Sequence, residues 1–267
     1  EYFSNNAILP NWKTINKISK NKKLEIARTG RKVLENKIKE IDINTLKKER
    51  IYNLKNEYTH VCCIFLNCFF DTSLSKSESF FDDYFEYLEF TIRHFTKDNS
   101  FLIFKLHPDE LIYSNTSNLP HIITDFCKKY NLRDFHILDF NTNVSTFDLS
   151  KVIDFGITLC GSVIAELNYL GIQVLSVSNN GLSARGCGLS IESRKEYEKF
   201  LRNPDTIPHV TNKNREQSKL LAGLQKSELF YLKFSDNKNN KSYLSDPQIT
   251  ALLNHKKTQR FFENKLK

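Results

Sequence analysis

Five short apolar runs constrain this chain more than anything else in it. They read THVCCIFLN (59–67), SFLIFKL (100–106), FHILD (135–139), DFGITL (154–159) and IQVLSVS (172–178). The first is apolar without alternation, which fits a strand buried on both faces rather than one with a wet side. The second reads the same way. Helical patterns fill the intervals. In 77–98, Phe81, Tyr84, Phe85, Leu88, Ile92 and Phe95 form a stripe at helical spacing. Ser79 is placed to cap that helix, and Asp82 and Asp83 suit its first turn. Residues 119–131 and 145–152 read as helices, and 161–171 as a helix closed by Gly171.

Strands that alternate with helices predict βαβ units and a parallel sheet covered on both faces. The expected fold is therefore α/β, a Rossmann-like parallel sheet with helical N- and C-terminal extensions. Residues 1–57 read as a basic helical arm or linker, with a helix expected over 12–57. Residues 58–232 hold the Rossmann-like domain, with helices expected over 190–202 and 213–232. Residues 233–267 form an exposed Asn/Lys-rich loop and a basic amphipathic helix.

Composition narrows the class further. The net charge is +8, and residues 1–57 carry fourteen Lys/Arg against seven Asp/Glu, so the remainder is almost neutral. A solvated helical face explains such a segment, and peripheral contact with an anionic membrane is the functional alternative. No nucleic-acid-binding motif accompanies the charge, so no nucleic-acid partner is expected. No apolar run reaches eighteen residues, which argues against a transmembrane helix. The six cysteines, at 62, 63, 68, 127, 160 and 187, lack the CxxC spacing of a zinc site. They read as reduced core residues of a cytoplasmic protein. The chain starts at Glu1 and contains no Met, which reads as a trimmed chain or an excerpt of a longer one.

Ligands of an open parallel sheet bind beyond the carboxyl ends of its strands. Three such ends carry polar residues. After the first strand, NCFFDTSLS contains Asp71. After the second come Lys105, His107 and Pro108, within FLIFKLHPDE. Proline pushes the residue before it toward extended geometry, so His107 is aimed out of the strand end. Lys105 precedes it by two and shares its side. After the fourth strand, TLCGSVIAE enters a helix through Gly161 and Ser162, and a helix start of this kind favours anions. Glu166 lies one turn beyond Ser162 on the same face and can accept from two sugar hydroxyls. A plain N-cap with a surface glutamate is the alternative. The Gly-rich NNGLSARGCG (179–188) contains Arg185, suited to a phosphate or simply to solvent. No DxD pair stands beside a strand end, so metal-independent chemistry is expected.

FKLHPDE followed by DFGITLCGSVIAELNYLGIQVLSVS resembles the carboxyl-terminal half of GT-B glycosyltransferases that build bacterial capsules and other surface polysaccharides. In that group a K-x-HP strand end precedes a T-x-x-S-x-x-x-x-E-x-x-x-x-G-x-x-V segment. Thr158, Glu166, Gly171 and Val174 match it here, and the serine falls one place later, at Ser162, with Gly161 at the pattern's own position. Kdo-transferases, bacterial sialyltransferases and teichoic-acid polymerases belong to the broader set. The turn departs from the usual pattern, since Cys160 and Gly161 precede Ser162.

The resemblance covers roughly residues 59–180 and implies half of a GT-B fold that binds a nucleotide-sugar donor. A CMP-sugar is favoured because cytidine nucleotides are common donors in members with the His-Pro pair. It implies His107 at the nucleotide, Ser162 and neighbouring amides at phosphate, and Glu166 at the ribose. No cofactor beyond the donor substrate is implied. The acceptor is then a growing glycan or lipid-linked glycan. Asp71 is the candidate base for its hydroxyl, with a simple turn cap as the alternative. Transfer of a polyol phosphate from a CDP-alcohol, a sugar-nucleotide epimerase of the same fold, and a non-catalytic module that docks a partner or membrane are the competing functions.

Overall fold

The computed structural model describes residues 18–67, 79–96, 98–108, 110, 118–177 and 186–226. Helix α1 (Lys20–Lys39) starts at Ser19, whose hydroxyl accepts from the Lys22 amide. The chain then breaks. The Asp42 carboxylate accepts from the Asn44 amide at 2.9 Å and starts α2 (Ile43–Lys48), and α3 (Leu54–Glu57) follows. The helical stretch expected over 12–57 is, within the described residues, three helices, the second of them capped by Asp42.

β1 (His60–Phe65) is followed by α4 (Tyr84–His94), β2 (Ser100–Lys105), α5 (Leu119–Lys129) and β3 (Phe135–Leu138). Next come α6 (Thr146–Leu149), β4 (Phe155–Thr158), α7 (Val163–Leu170) and β5 (Gln173–Ser176). The two-residue β6 (Leu189–Ser190), α8 (Arg194–Arg202) and α9 (Asn212–Lys226) complete the described chain. Helix α4 starts later than expected. Asp83 is its N-cap, accepting from the Glu86 amide at 2.8 Å, while the Ser79 hydroxyl only closes a turn onto the Phe81 amide. A carboxylate at that position also meets the positive end of the helix dipole. Within the stripe, Phe85 is 45% exposed and Tyr87 is buried instead.

The six strands form one parallel sheet in the order β3-β2-β1-β4-β5-β6. Side chains alternate across it. Cys62, Ile64, Leu102, Phe104, Phe155 and Ile157 face one layer, where α4, α5 and α8 pack. Val61, Cys63, Phe65, Ile103 and Val174 face the other, against α7 and α9. Ile26 of α1, Leu46 of α2 and Leu54 of α3 are buried in that second layer. The basic N-terminal helices are therefore packed elements of the domain. α1 lies on α9 through two glycines: a Cβ at Gly30 would stand 1.9 Å from the Lys219 carbonyl oxygen.

No helix of the described residues is long and apolar enough to cross a membrane.

Candidate functional site

The strand order places β1 next to β4, so the chain crosses from one side of the sheet to the other at that pair. A crevice opens at the carboxyl ends of strands on either side of such a crossover. Here it is a cleft of about 660 Å³. Its floor is made at the ends of β1, β2 and β4 by Phe65 to Asn67, Lys105 to Pro108, Thr158, and Cys160 to Ser162.

The strand ends are tied together by polar side chains. The Thr158 hydroxyl is buried, 3.0 Å from both the Phe65 and Cys160 carbonyl oxygens. The Asn67 amide nitrogen donates to the Cys160 carbonyl at 3.0 Å. Ser176, on β5, donates to the Leu159 carbonyl at 3.2 Å. The turn from β4 into α7 is thereby fixed from three strands. Gly161 makes that turn at φ 136°, a value L side chains rarely adopt.

Ser162 occupies the N-cap position of α7, but its hydroxyl makes no capping bond. Its φ and ψ of −63° and −24° are already helical, whereas a capping side chain needs extended backbone. The alternative reading of Ser162 as a plain side-chain cap is therefore not what the structure shows. The consequence favours a ligand. The first intrahelical bonds begin at Ile164, and the amides of Ser162 and Val163 donate to no acceptor among the described residues. They belong to the positive end of an eight-residue helix.

Lys105 ends β2, half-buried, and lines the same cleft. Burial lowers its pKa from the ordinary value near 10.5, against the pull of the Cys63 thiol and the Asp148 carboxylate. No carboxylate among the described residues lies within ion-pair distance of it. The Asp148 carboxylate is committed elsewhere, accepting at 2.7 Å from the Asp42 amide, the Ser145 amide and the Ser145 hydroxyl. His107 is half-buried and Pro108 exposed, both on the cleft wall. Glu166 also lines the cleft. Its Oε1 lies 2.7 Å from the Nζ of Lys37 on α1.

Of the residues singled out in the sequence, Lys105, His107, Pro108, Gly161, Ser162 and Glu166 come together around one cavity. Asp71 and Arg185 lie outside the described residues. Sequence reasoning missed Lys37, Asn67, Phe147 and Asp148. For Asp148 a signal existed: Ser145 and Asp148 form a capping box, with the S-x-x-D spacing such a box requires. Lys37 offers none, since its place depends on how α1 docks. Among the described residues no group of three or more His, Cys, Asp or Glu stands together as metal ligands would.

Fold and cleft define a Rossmann-like α/β protein. No protein-family model matches the sequence, and no curated protein matches it. Among solved structures, the chain is similar to the UDP-GlcNAc 2-epimerase of Neisseria meningitidis bound to UDP-GlcNAc. The TM-score is 0.43 at 14% identity, over 73% of this chain and 51% of the epimerase chain. The chain thus spans about half the length of that structure.

Proposed function

We propose that the cleft binds the nucleotide part of an activated sugar, and that the chain is the donor-binding part of a glycosyltransferase acting on a surface glycan. One observation carries the reading. A half-buried lysine with no carboxylate within ion-pair distance among the described residues shares a cavity with the unbonded amides of a helix start. Burying an ammonium without a counter-ion costs stability. An anion on the cleft floor offsets that cost, and a diphosphate reaches both groups at once.

Several features support the finer assignment. The cavity is large enough for a nucleotide-sized ligand. It sits at the crossover of an all-parallel sheet. The resemblance of the K-x-HP strand end and of the segment from Thr158 to Glu166 supports a reading in which the imidazole of His107 meets the base or phosphate and the carboxylate of Glu166 meets the ribose. In transfer, the acceptor hydroxyl attacks the anomeric carbon while the bond to the nucleotide phosphate breaks. The charge that develops on the leaving phosphate would then face Lys105 and the α7 amides, a preorganised stabilisation. Asp71 is proposed, on its sequence position after β1, as the carboxylate that takes the hydroxyl proton.

The test is thermal denaturation with CMP, CDP and UDP at millimolar concentration. Ligand at about one hundred times its Kd adds roughly 2.7 kcal/mol of stability. That raises the Tm by about 5–10 °C for a domain of this size. His107→Ala should remove the shift and leave the ligand-free Tm in place. No stabilisation by any of the three nucleotides would overturn the reading.

A further inference from the structure

The formal charge around the cleft does not by itself invite an anion. Glu40, Asp42, Asp148 and Glu166 line it, beside two basic side chains, Lys37 and Lys105. Asp42 and Asp148 are occupied by backbone amides and hydroxyls. Glu166 is the carboxylate that matters to an incoming phosphate. It sits in the first turn of α7, the turn whose amides open onto the cleft, and its side chain is only 13% exposed.

Lys37 reaches this carboxylate from 129 residues away in sequence, at 2.7 Å. Its ammonium also lies 5.5 Å from the centroid of the Phe147 ring, on the cleft wall. Its helix is seated by the close glycine crossing of α1 on α9. The backbone position of Lys37 is therefore set by the fold, while its side chain, 46% exposed, reaches the carboxylate from the rim of the cleft.

We infer that Lys37 is a recognition residue for the anionic part of the ligand: it neutralises Glu166, so that a phosphate can share the start of α7 with that carboxylate. The second Glu166 oxygen is left to accept from a sugar diol. This rests on the nucleotide-binding reading above. Without Lys37, a carboxylate and a diphosphate would face each other across a few ångströms of a partly dry cleft, where like charges repel strongly.

The experiment is isothermal titration of the full chain with UDP, CDP and inorganic pyrophosphate. The variants are Lys37→Met, Lys37→Arg and the double variant Lys37→Met with Glu166→Gln. Lys37→Met is expected to weaken all three ligands by about tenfold or more, the range of one lost charge contact. Lys37→Arg retains most of the affinity. The double variant regains most of the pyrophosphate affinity, because removing the carboxylate removes the repulsion. A merely structural role for Lys37 gives no such recovery. Affinity unchanged in Lys37→Met, or a double variant no tighter than Lys37→Met, overturns this inference and leaves the nucleotide reading standing. A native chain that binds none of the three overturns both.

Discussion

Gly30→Ala is the substitution that most directly tests whether the basic N-terminal helix belongs to the domain. In an exposed helix, Ala in place of Gly stabilises by up to about 1 kcal/mol. Here the added methyl would stand 1.9 Å from the Lys219 carbonyl oxygen and 2.4 Å from the Gly223 amide nitrogen. Ordinary contact begins at 3.4 Å, and both obstacles are backbone, so no side chain can turn away. The two helices must separate by roughly 1.5 Å in a region packed to near-crystalline density. Overpacking of this kind costs about 1–3 kcal/mol. The opposing propensity gain leaves a net loss of up to about 2 kcal/mol, or up to roughly 8 °C in Tm. Thermal melting and urea titration of the variant beside the native chain measure it. Moving α1 also moves Lys37, so nucleotide affinity should fall in the same variant. A Tm that rises, as for Ala in an exposed helix, would show that α1 does not cross α9 at these glycines, and would remove the basis for placing Lys37 in the cleft.

Two further outcomes follow from the thiols and the buried lysine. The Lys105 ammonium has its pKa lowered by burial, so the folded state holds its proton less tightly than the unfolded chain does. Stability therefore rises with pH between the lowered value and the ordinary value near 10.5, and Lys105→Leu should flatten that rise in pH-dependent urea titrations. Nucleotide binding favours the charged form, so affinity should fall with pH across the same alkaline window in the native chain and lose that dependence in Lys105→Leu. Burial pushes the Cys62 and Cys63 thiols up, and the Cys127 thiol up to about 12, while Cys160 is half-exposed on the cleft wall. Mass spectrometry after brief alkylation of the folded protein should find Cys160 modified ahead of those three, and CDP or UDP should slow its labelling. Equal labelling of all four would refute the burial assignment.

The sheet was legible because its strands are short, apolar and separated by helix-length intervals, a pattern few other folds accommodate. Each of the five expected strands is present within one or two residues of its apolar run. β6 was not legible: Leu189–Ser190 is two residues long and borrows its place from β5, through Leu175 and Ser176. Helix starts were the weaker reading. Ser79 and Asp83 are both competent caps by composition, and the choice fell to the backbone of 79–83, which holds Asp83 extended. In the cleft, the groups carried by strand ends could be found because a strand's end and the turn after it are adjacent in sequence. Lys37 could not, because its contact with Glu166 is created by a helix crossing at Gly30 and Gly223, and nothing near Lys37 reports that crossing.

That division says something about how the cleft is assembled. Lys105 continues the run FLIFKL in register with Phe65 and next to Leu138, where an apolar side chain would extend the buried layer. Stability alone would favour the apolar residue. On the nucleotide reading proposed above, the anionic ligand is what offsets the cost of a charge kept there. Glu166 presents the converse problem, a carboxylate beside that same floor. The fold answers it by bringing a cation from outside the βαβ core, on a helix that crosses the domain's last described helix closely at two residues without side chains. On the inference drawn above, a cleft floor from strand ends and a neutralising wall from α1 are two separable features of the sequence, and their combination is what makes a carboxylate and a phosphate compatible neighbours.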